Sequence, residues 1–439
     1  MTTITSPALK ESGIPWLGQI PDDWSVQAIK HASYIKARVG WKGLTSDEFE
    51  ITAHAYLVTG TDFRRRFINW STCYQVSEER YLDDPFIQLR NGDLLVTKDG
   101  TIGKLSMVSN LDKPACLNSG IFLVRPFKNY STRFLYWVLR SRVFEDFIDL
   151  TSTGSTILHL YQNVFEQFRF AFPTPETQDG IASYLDRETA QIDDLIAKQE
   201  RLVELLAEKR QAIITHAVTK GLDPTAPLGP SGVPWLGEVP RHWTMTKFRY
   251  FARILGGTAP EQCSPQVSGA YPYIKVSSLN TLDGNQEVSS TDEYIDSEGI
   301  TCPAGTVLFP KRGAAIFTNK VGVVRTRSAF DTNLMGLELD HVKAHGLFIV
   351  HWLRSRTLNE LADTSTLPQI NNKHIYPLEI ALPPLCEQKK ILEVLGLRLR
   401  AIDVLARKCE VAVSLLQERR SALISAAVTG KIDIRKEAS

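Results

Sequence analysis

The chain has 439 residues, 43% hydrophobic and 23% charged, which suits two or more globular domains and excludes a single small fold, a fibrous repeat or extended disorder. Fifty Lys and Arg stand against 49 Asp and Glu, a formal charge of +1, so any nucleic-acid contact must come from local patches rather than a global basic field. Six cysteines (Cys73, Cys116, Cys263, Cys302, Cys386, Cys409) form no C-x-x-C pair; neither a disulfide framework nor a zinc site is expected, and the implied compartment is a reducing cytoplasm. The first ten residues lack an apolar signal core and no apolar run reaches the roughly 18 residues of a membrane span, so neither secretion nor membrane insertion is expected.

In chain order, an opening block at 12–24 (SGIPWLGQIPDDW) is followed by short apolar runs at 56–58, 94–97 and 121–124, broken by Gly, Asn and Asp, which predict strands and turns. A helical patch at 132–150 comes next. After Pro173 and Pro175, the residues Ile181, Leu185, Ile192, Leu195, Leu202, Leu206 and Ile213 recur in steps that sum to sevens, with Glu188, Gln199 and Lys209 in the remaining seam positions. That is a heptad pattern, closed by Gly221.

The order then repeats. Residues 231–243 (SGVPWLGEVPRHW) match the opening block at eight of thirteen positions. Strands are predicted at 273–276, 306–309 and 321–324, a helical patch at 344–363, and, after Pro383 and Pro384, a second heptad helix with Ile391, Leu395, Ile402, Leu405, Ala412, Leu416 and Leu423, closed near Gly430. Fainter matches keep the register between the halves: GDLLVTKDG at 92–100 with GTVLFPKRG at 305–313, Leu-Arg-Ser-Arg at 139–142 and 353–356, and Ser155-Thr156 with Ser365-Thr366. Each half has constant ends and a divergent middle. Helices of some 36 to 40 residues would be about 55–60 Å long. The segments expected are an α+β domain at 1–174, a long helix at 175–222, a second domain at 223–383, a second helix at 384–432 and a tail at 433–439.

Catalytic signatures are missing. GTIGK at 100–104 lacks the spacing of a phosphate loop, and the sequence has no G-x-S-x-G, H-E-x-x-H or GxGxxG opening a helix. Glu387-Gln388-Lys389 opens a heptad helix without the upstream Pro-Asp of a metal-dependent nuclease, and Leu382-Pro383-Pro384-Leu385 is not the [DN]-P-P-[FYW] of amino-methyltransferases.

Two divergent domains, each followed by a near-identical long helix with a P-x-x-(E)-Q opening (Pro175 to Gln178; Pro384 to Gln388), resemble the specificity subunit of type I restriction–modification enzymes. The PWLG…P…W blocks, Gly256-Gly257-Thr258 and the Ala-Val-Thr helix ends at 217–219 and 427–429 carry the same resemblance. It implies an α+β fold in which two target recognition domains are separated by two long antiparallel coiled-coil helices with internal pseudo-two-fold symmetry. It also implies a subunit with no catalytic residues, metal or cofactor of its own, reading a bipartite asymmetric site on double-stranded DNA. Two modification subunits, carrying S-adenosylmethionine, and restriction subunits would be its partners. A coiled-coil protein scaffold and a stand-alone DNA-modifying enzyme are the alternatives.

DNA contact is expected from polar and basic loop residues, since cations meet phosphates and Arg, Lys, Asn and Gln read base edges. In the first domain these are Lys36, Arg38, Lys42, Thr59, Thr61, Asp62, Arg64, Arg65, Arg66, Lys98 and Lys104. In the second they are Lys275, Ser277, Ser278, Asn280, Lys311, Arg312, Asn319 and Lys320. Trp16, Trp24, Trp235 and Trp243 occur in both halves and are expected to pack or to hold a partner.

Overall fold

Proline and glycine mark the helix boundaries in the computed structural model, which describes residues 8–38, 44–151, 159–282, 286–288, 291–363 and 368–432. The longer helices are α1 (Thr132–Leu139), α2 (Arg142–Thr151), α3 (Pro175–Lys220), α4 (Gly346–Arg356) and α5 (Leu385–Val428). The long helices α3 and α5 have 46 and 44 residues, more than the heptads alone predict, because each begins directly at its proline-rich opening. The helical patch expected at 132–150 is split at Arg140 and Ser141, and the one expected at 344–363 gives way after Arg356 to a 3-10 turn at Leu358–Leu361.

The chain divides into two compact units, Met1–Lys198 with Ala412–Ser439, and Gln199–Val411. Each unit combines one globular domain with part of α3 and part of α5. The Ser155-Thr156 and Ser365-Thr366 matches and the tail at 433–439 lie outside the described residues.

In unit 1, a four-stranded antiparallel sheet has the order Ser33–Ala37, Ile121–Pro126, Leu94–Thr97, Leu105–Met107. A three-stranded sheet sets Ala55–Val58 between antiparallel Tyr74–Val76 and parallel Ala115–Leu117. GTIGK lies in the loop joining Leu94–Thr97 to Leu105–Met107. One core packs Trp24, Phe122, Phe134, Trp137 and Phe168 with Ile181 and Leu185 of α3 and Ile424 and Val428 of α5.

Unit 2 repeats the plan. Its larger sheet orders Ala252–Gly256, Leu334–Leu339, Val307–Pro310, Gly322–Val324 and Glu287–Val288, and a three-stranded sheet centres on Tyr271–Ile274. Its core joins Trp243, Phe248, Phe309 and Trp352 to Val218 of α3 and to Ile391 and Leu395 of α5.

The repeated tryptophans take part in this packing. Trp24 and Trp243 are buried; Trp16 lies edge-on to Phe147 and donates its indole N–H to the Arg169 carbonyl at 2.9 Å. Trp235 meets Trp352 edge-on. Gly430 ends α5 with φ +71°, and a Cβ there would stand 2.4 Å from Pro21; Gly221 ends α3 with φ +79° against Trp243. Both positions need glycine for the left-handed turn, and the first for the close approach as well.

In unit 1 the helices meet through Arg420–Asp193 at 2.9 Å, and in unit 2 through Arg210–Asp403 at 3.3 Å. The helices are antiparallel within each unit: in unit 1 α3 runs from Leu185 to Asp193 as α5 runs back from Ile424 to Arg420, and in unit 2 α3 runs from Arg210 to Val218 as α5 runs back from Asp403 to Leu395. Along the heptad seam Leu185, Ile192, Leu206, Leu395 and Ile402 are buried, whereas Leu195 is 46% and Leu405 43% exposed.

Candidate nucleic-acid interface

A cavity of about 360 Å³ in unit 1 gathers several basic side chains. Its construction starts at Thr59, whose backbone N–H and hydroxyl both donate to the Asp62 carboxylate, at 2.7 and 2.9 Å, closing the 3-10 turn Gly60–Asp62. That turn delivers Arg64, Arg65 and Arg66 to the cavity wall. Lys104 arrives from the loop before Leu105–Met107, Arg140 from the C-terminal end of α1, Asp186 and Asp193 from α3, and Arg420 from α5.

Part of this charge is neutralised internally. Arg66 reaches Asp186 at 2.6 Å and lies over the rings of Tyr136 and Trp137, 4.9 and 5.4 Å from their centroids. Asp186 also accepts from Arg133 at 2.7 Å and from the Trp137 indole at 2.8 Å. Burial opposes ionisation of Asp186, but these three donors outweigh it and hold its carboxyl below the ordinary carboxylate range. Arg420 is matched by Asp193. The side chains of Arg64, Arg65, Lys104 and Arg140 have no hydrogen bond or ion pair among the described residues, and Arg64, Arg65, Lys104 and Arg140 are exposed. Such a surface attracts anions, most strongly at low salt.

The remaining first-domain candidates are dispersed. Lys36 is half-buried on the edge strand Ser33–Ala37. Thr61 is exposed beside the Thr59–Asp62 box, which consumes the polar groups of Thr59 and Asp62. Lys98 stands 3.8 Å from its neighbour Asp99 and over the Phe122 ring. Lys42 lies outside the described residues. Arg38 must be corrected: it is 2% exposed, and its Nε donates to the Leu117 carbonyl at 2.8 Å, so it braces a strand end and presents nothing to a ligand.

In unit 2, Lys275 pairs with Glu293, Ser278 accepts the Lys275 backbone N–H at 3.1 Å, and Lys320 donates to Asn280. Ser277 is exposed. Asn319 is half-buried. With φ +48° it donates to the Arg354 carbonyl at 2.9 Å and accepts the Leu358 N–H at 3.0 Å, so its amide holds a turn together. Lys311 and Arg312 lead into the 3-10 turn Gly313–Thr318; Arg312 is exposed, and burial, then the Arg312 charge, lower the pKa of half-buried Lys311. Sequence reasoning missed Arg140, Asp186, Asp193 and Arg420, because helix periodicity marks their neighbours as core without showing which distant loop they face.

Two α+β units built to one plan, each framed by antiparallel helices and one bearing a cationic cavity, define a duplicated recognition protein. The family model for the type I restriction modification DNA specificity domain matches residues 60–205 and 240–406, and the chain belongs to that family. It is 22% identical to a putative type I restriction enzyme MjaX specificity subunit of Methanocaldococcus jannaschii, over 95% of this chain and 96% of that one. It is 23% identical to the EcoDI specificity subunit of Escherichia coli, over 69% and 70%. Among solved structures, the fold matches a chain from a study of complex assembly and conformational transition of the type I R-M system, with a TM-score of 0.67, 16% identity and coverage of 93% and 98%. It also matches the HsdS subunit from Thermoanaerobacter tengcongensis, with a TM-score of 0.55, 14% identity and coverage of 94% and 98%. No helix among the described residues is long and apolar enough to cross a membrane.

Proposed function

We propose that this chain reads DNA for a type I restriction–modification complex, each globular domain recognising one half of an asymmetric, interrupted target. The observation that carries the reading is the group of unpaired cations, Arg64, Arg65, Lys104 and Arg140, gathered in one cavity of a protein whose formal charge is only +1. Charge collected locally against a neutral background favours a phosphate backbone. Different domains on a repeated frame favour two different half-sites, since a two-fold protein otherwise matches a two-fold site.

In this reading the chain is not an enzyme. It docks two modification subunits, which bind S-adenosylmethionine and methylate the target, and restriction subunits join the same complex in the cytoplasm. Base modification inside a duplex requires a pocket for the flipped base, and that task falls to the partner. The test is selection from a random duplex library by the chain assembled with its modification subunit, at stated salt. Enrichment of two unlike half-sites at a fixed separation is expected. Failure to enrich any sequence, with the complex intact, would favour a protein scaffold; methyl transfer by the chain freed of other subunits would favour an enzyme.

A further inference from the structure

The repeated Leu-Arg-Ser-Arg segment serves two purposes, and only one is structural. In unit 1, Leu139 is buried, while Arg142 donates its backbone N–H to Ser425 at 3.1 Å and its Nε to Ser421 at 3.2 Å, fixing the segment to α5. In unit 2, Leu353 is buried, the Arg354 carbonyl accepts from Gln211 of α3 at 3.4 Å, and Arg356 lies over the Trp235 ring at 4.5 Å. These contacts hold each domain on a long helix. They leave the guanidinium groups of Arg140 and Arg354 unexplained.

Each of these arginines faces a second one at the corresponding place in the repeat. Arg140 shares its cavity with Arg420, which is already matched by Asp193. Arg354 stands against α3, where Gln211 donates to its carbonyl at 3.4 Å and the preceding residue, Arg210, is already matched by Asp403; burial, then the Arg210 charge, lower the Arg354 pKa. Arg354 donates to the neutral amide of Gln286 and has no carboxylate partner among the described residues. Beside it, His351 is buried with no partner for Nδ1 among the described residues, and burial and the two arginines push its pKa down to about 4. At each of these matching positions one aspartate therefore meets one of two arginines, although the loops around them differ. Surplus positive charge repeated in this way is unfavourable for folding and suits an anionic ligand.

We propose that Arg140 with Arg420 in unit 1, and Arg354 with Arg210 in unit 2, each grip one phosphate group of the DNA backbone. The repeated framework then supplies sequence-independent affinity, and the divergent loops supply the choice of bases. Guanidinium forks suit the task because they meet phosphate oxygens two at a time. The inference rests on the proposed DNA-reading role.

The test uses the full chain assembled with its modification subunit, with a duplex of arbitrary sequence as probe, at several salt concentrations. Binding by the unaltered complex is measured first; if it binds no duplex at any salt, the DNA-reading role fails and this inference falls with it. Arg140→Gln with Arg354→Gln should lower the slope of log affinity against log salt by about 1.8, at about 0.9 per phosphate. The fold loss at fixed salt should be the same on arbitrary and selected duplexes, and the selected sequence should not change. Arg140→Lys with Arg354→Lys should keep most of the slope. If the double Gln variant unfolds in a melting experiment, exposed Arg140→Gln alone carries the test, with an expected change of about 0.9. An unchanged slope, a loss confined to one base position, or loss of the modification subunit from a folded chain would each overturn the inference, the last by making the site a seat for protein carboxylates.

Discussion

Gln178 accepts the backbone N–H of Ser131 at 2.9 Å, and Gln388 accepts that of His345 at 2.8 Å. Ser131 and His345 are the residues that open α1 and α4, and neither helix has a side-chain cap of its own. Each glutamine is fully buried and also donates to the carbonyl that precedes its long helix, Pro173 or Pro383. One amide thus ties the start of a long helix to the start of a domain helix, satisfying a donor that helix geometry leaves unpaired. Gln178→Leu and Gln388→Leu should each cost about 1–3 kcal/mol by leaving buried polar groups unmatched. The Gln388 variant should lose more, because Gln388 also donates to Lys343. Urea unfolding of the two variants checks both magnitude and order.

The repeated glutamine was visible in the sequence as a string, but its purpose was not, because Ser131 and His345 precede it by more than forty residues. The same limit applies elsewhere. Heptads showed where α3 and α5 run, since apolar periodicity is local. That unit 1 is completed by the end of α5, against Pro21 and Trp24, could not be read from residues some four hundred positions apart. Arg38 looked like a ligand contact because charge suggests surface, and its burial depends on a distant partner, the Leu117 carbonyl; the half-buried Asn319 amide is engaged in the same way by the Arg354 carbonyl. The run of three arginines was legible as a basic loop, whereas the separate fates of Arg64, Arg65 and Arg66 follow from Asp186 reaching only the last.

Asp186 organises the cavity wall, and Asp186→Ala should release Arg66, Arg133 and the Trp137 indole together. The expected cost is about 1–3 kcal/mol, since a partly buried charged network loses its acceptor. Because the carboxyl is held below its ordinary range in the folded chain, its stabilisation is present above the ordinary carboxylate pKa and is lost as pH falls through the lower, folded value. Unfolding midpoints at neutral and acid pH should therefore differ less in the variant than in the unaltered chain. An equal acid dependence would show that the network is not coupled to folding.

His351 adds to the acid sensitivity in a higher pH window. Its pKa falls from 6.5 to about 4 on folding, through burial and the charges of Arg354 and Arg210. Above pH 6.5 it is neutral in both states and contributes no pH dependence. Between 6.5 and about 4 the unfolded chain takes up a proton that the folded chain refuses, so stability falls as pH falls, by up to about 3 kcal/mol in total at 1.36 kcal/mol per unit. His351→Leu should flatten the urea midpoint across that window relative to the unaltered chain. A profile as steep as before would place the acid sensitivity in other groups.

Lys311 and Arg312 are held on a fixed backbone and differ in what their side chains can offer. The Lys311 N–H donates to Asn333 and its carbonyl accepts from Ile370, both at 2.9 Å, so substitutions at the two side chains should leave the loop in place. Their counterparts are less cationic: Lys98 stands beside Asp99, which also binds His159. In unit 2, Arg312 is exposed, while Lys311 is half-buried with a lowered pKa and is the weaker cation of the pair as pH rises. In the assembled complex, Arg312→Ala should lower the salt slope by about 0.9 if it meets a phosphate, and Arg312→Ala with Lys311→Ala by about 1.8 if both do. If one of them reads a base edge instead, the loss should be about 1–3 kcal/mol and confined to one position of one half-site. Binding curves on selected and singly substituted duplexes, at several salt concentrations, separate these outcomes; unchanged affinity and slope in the double variant would remove this loop from the interface.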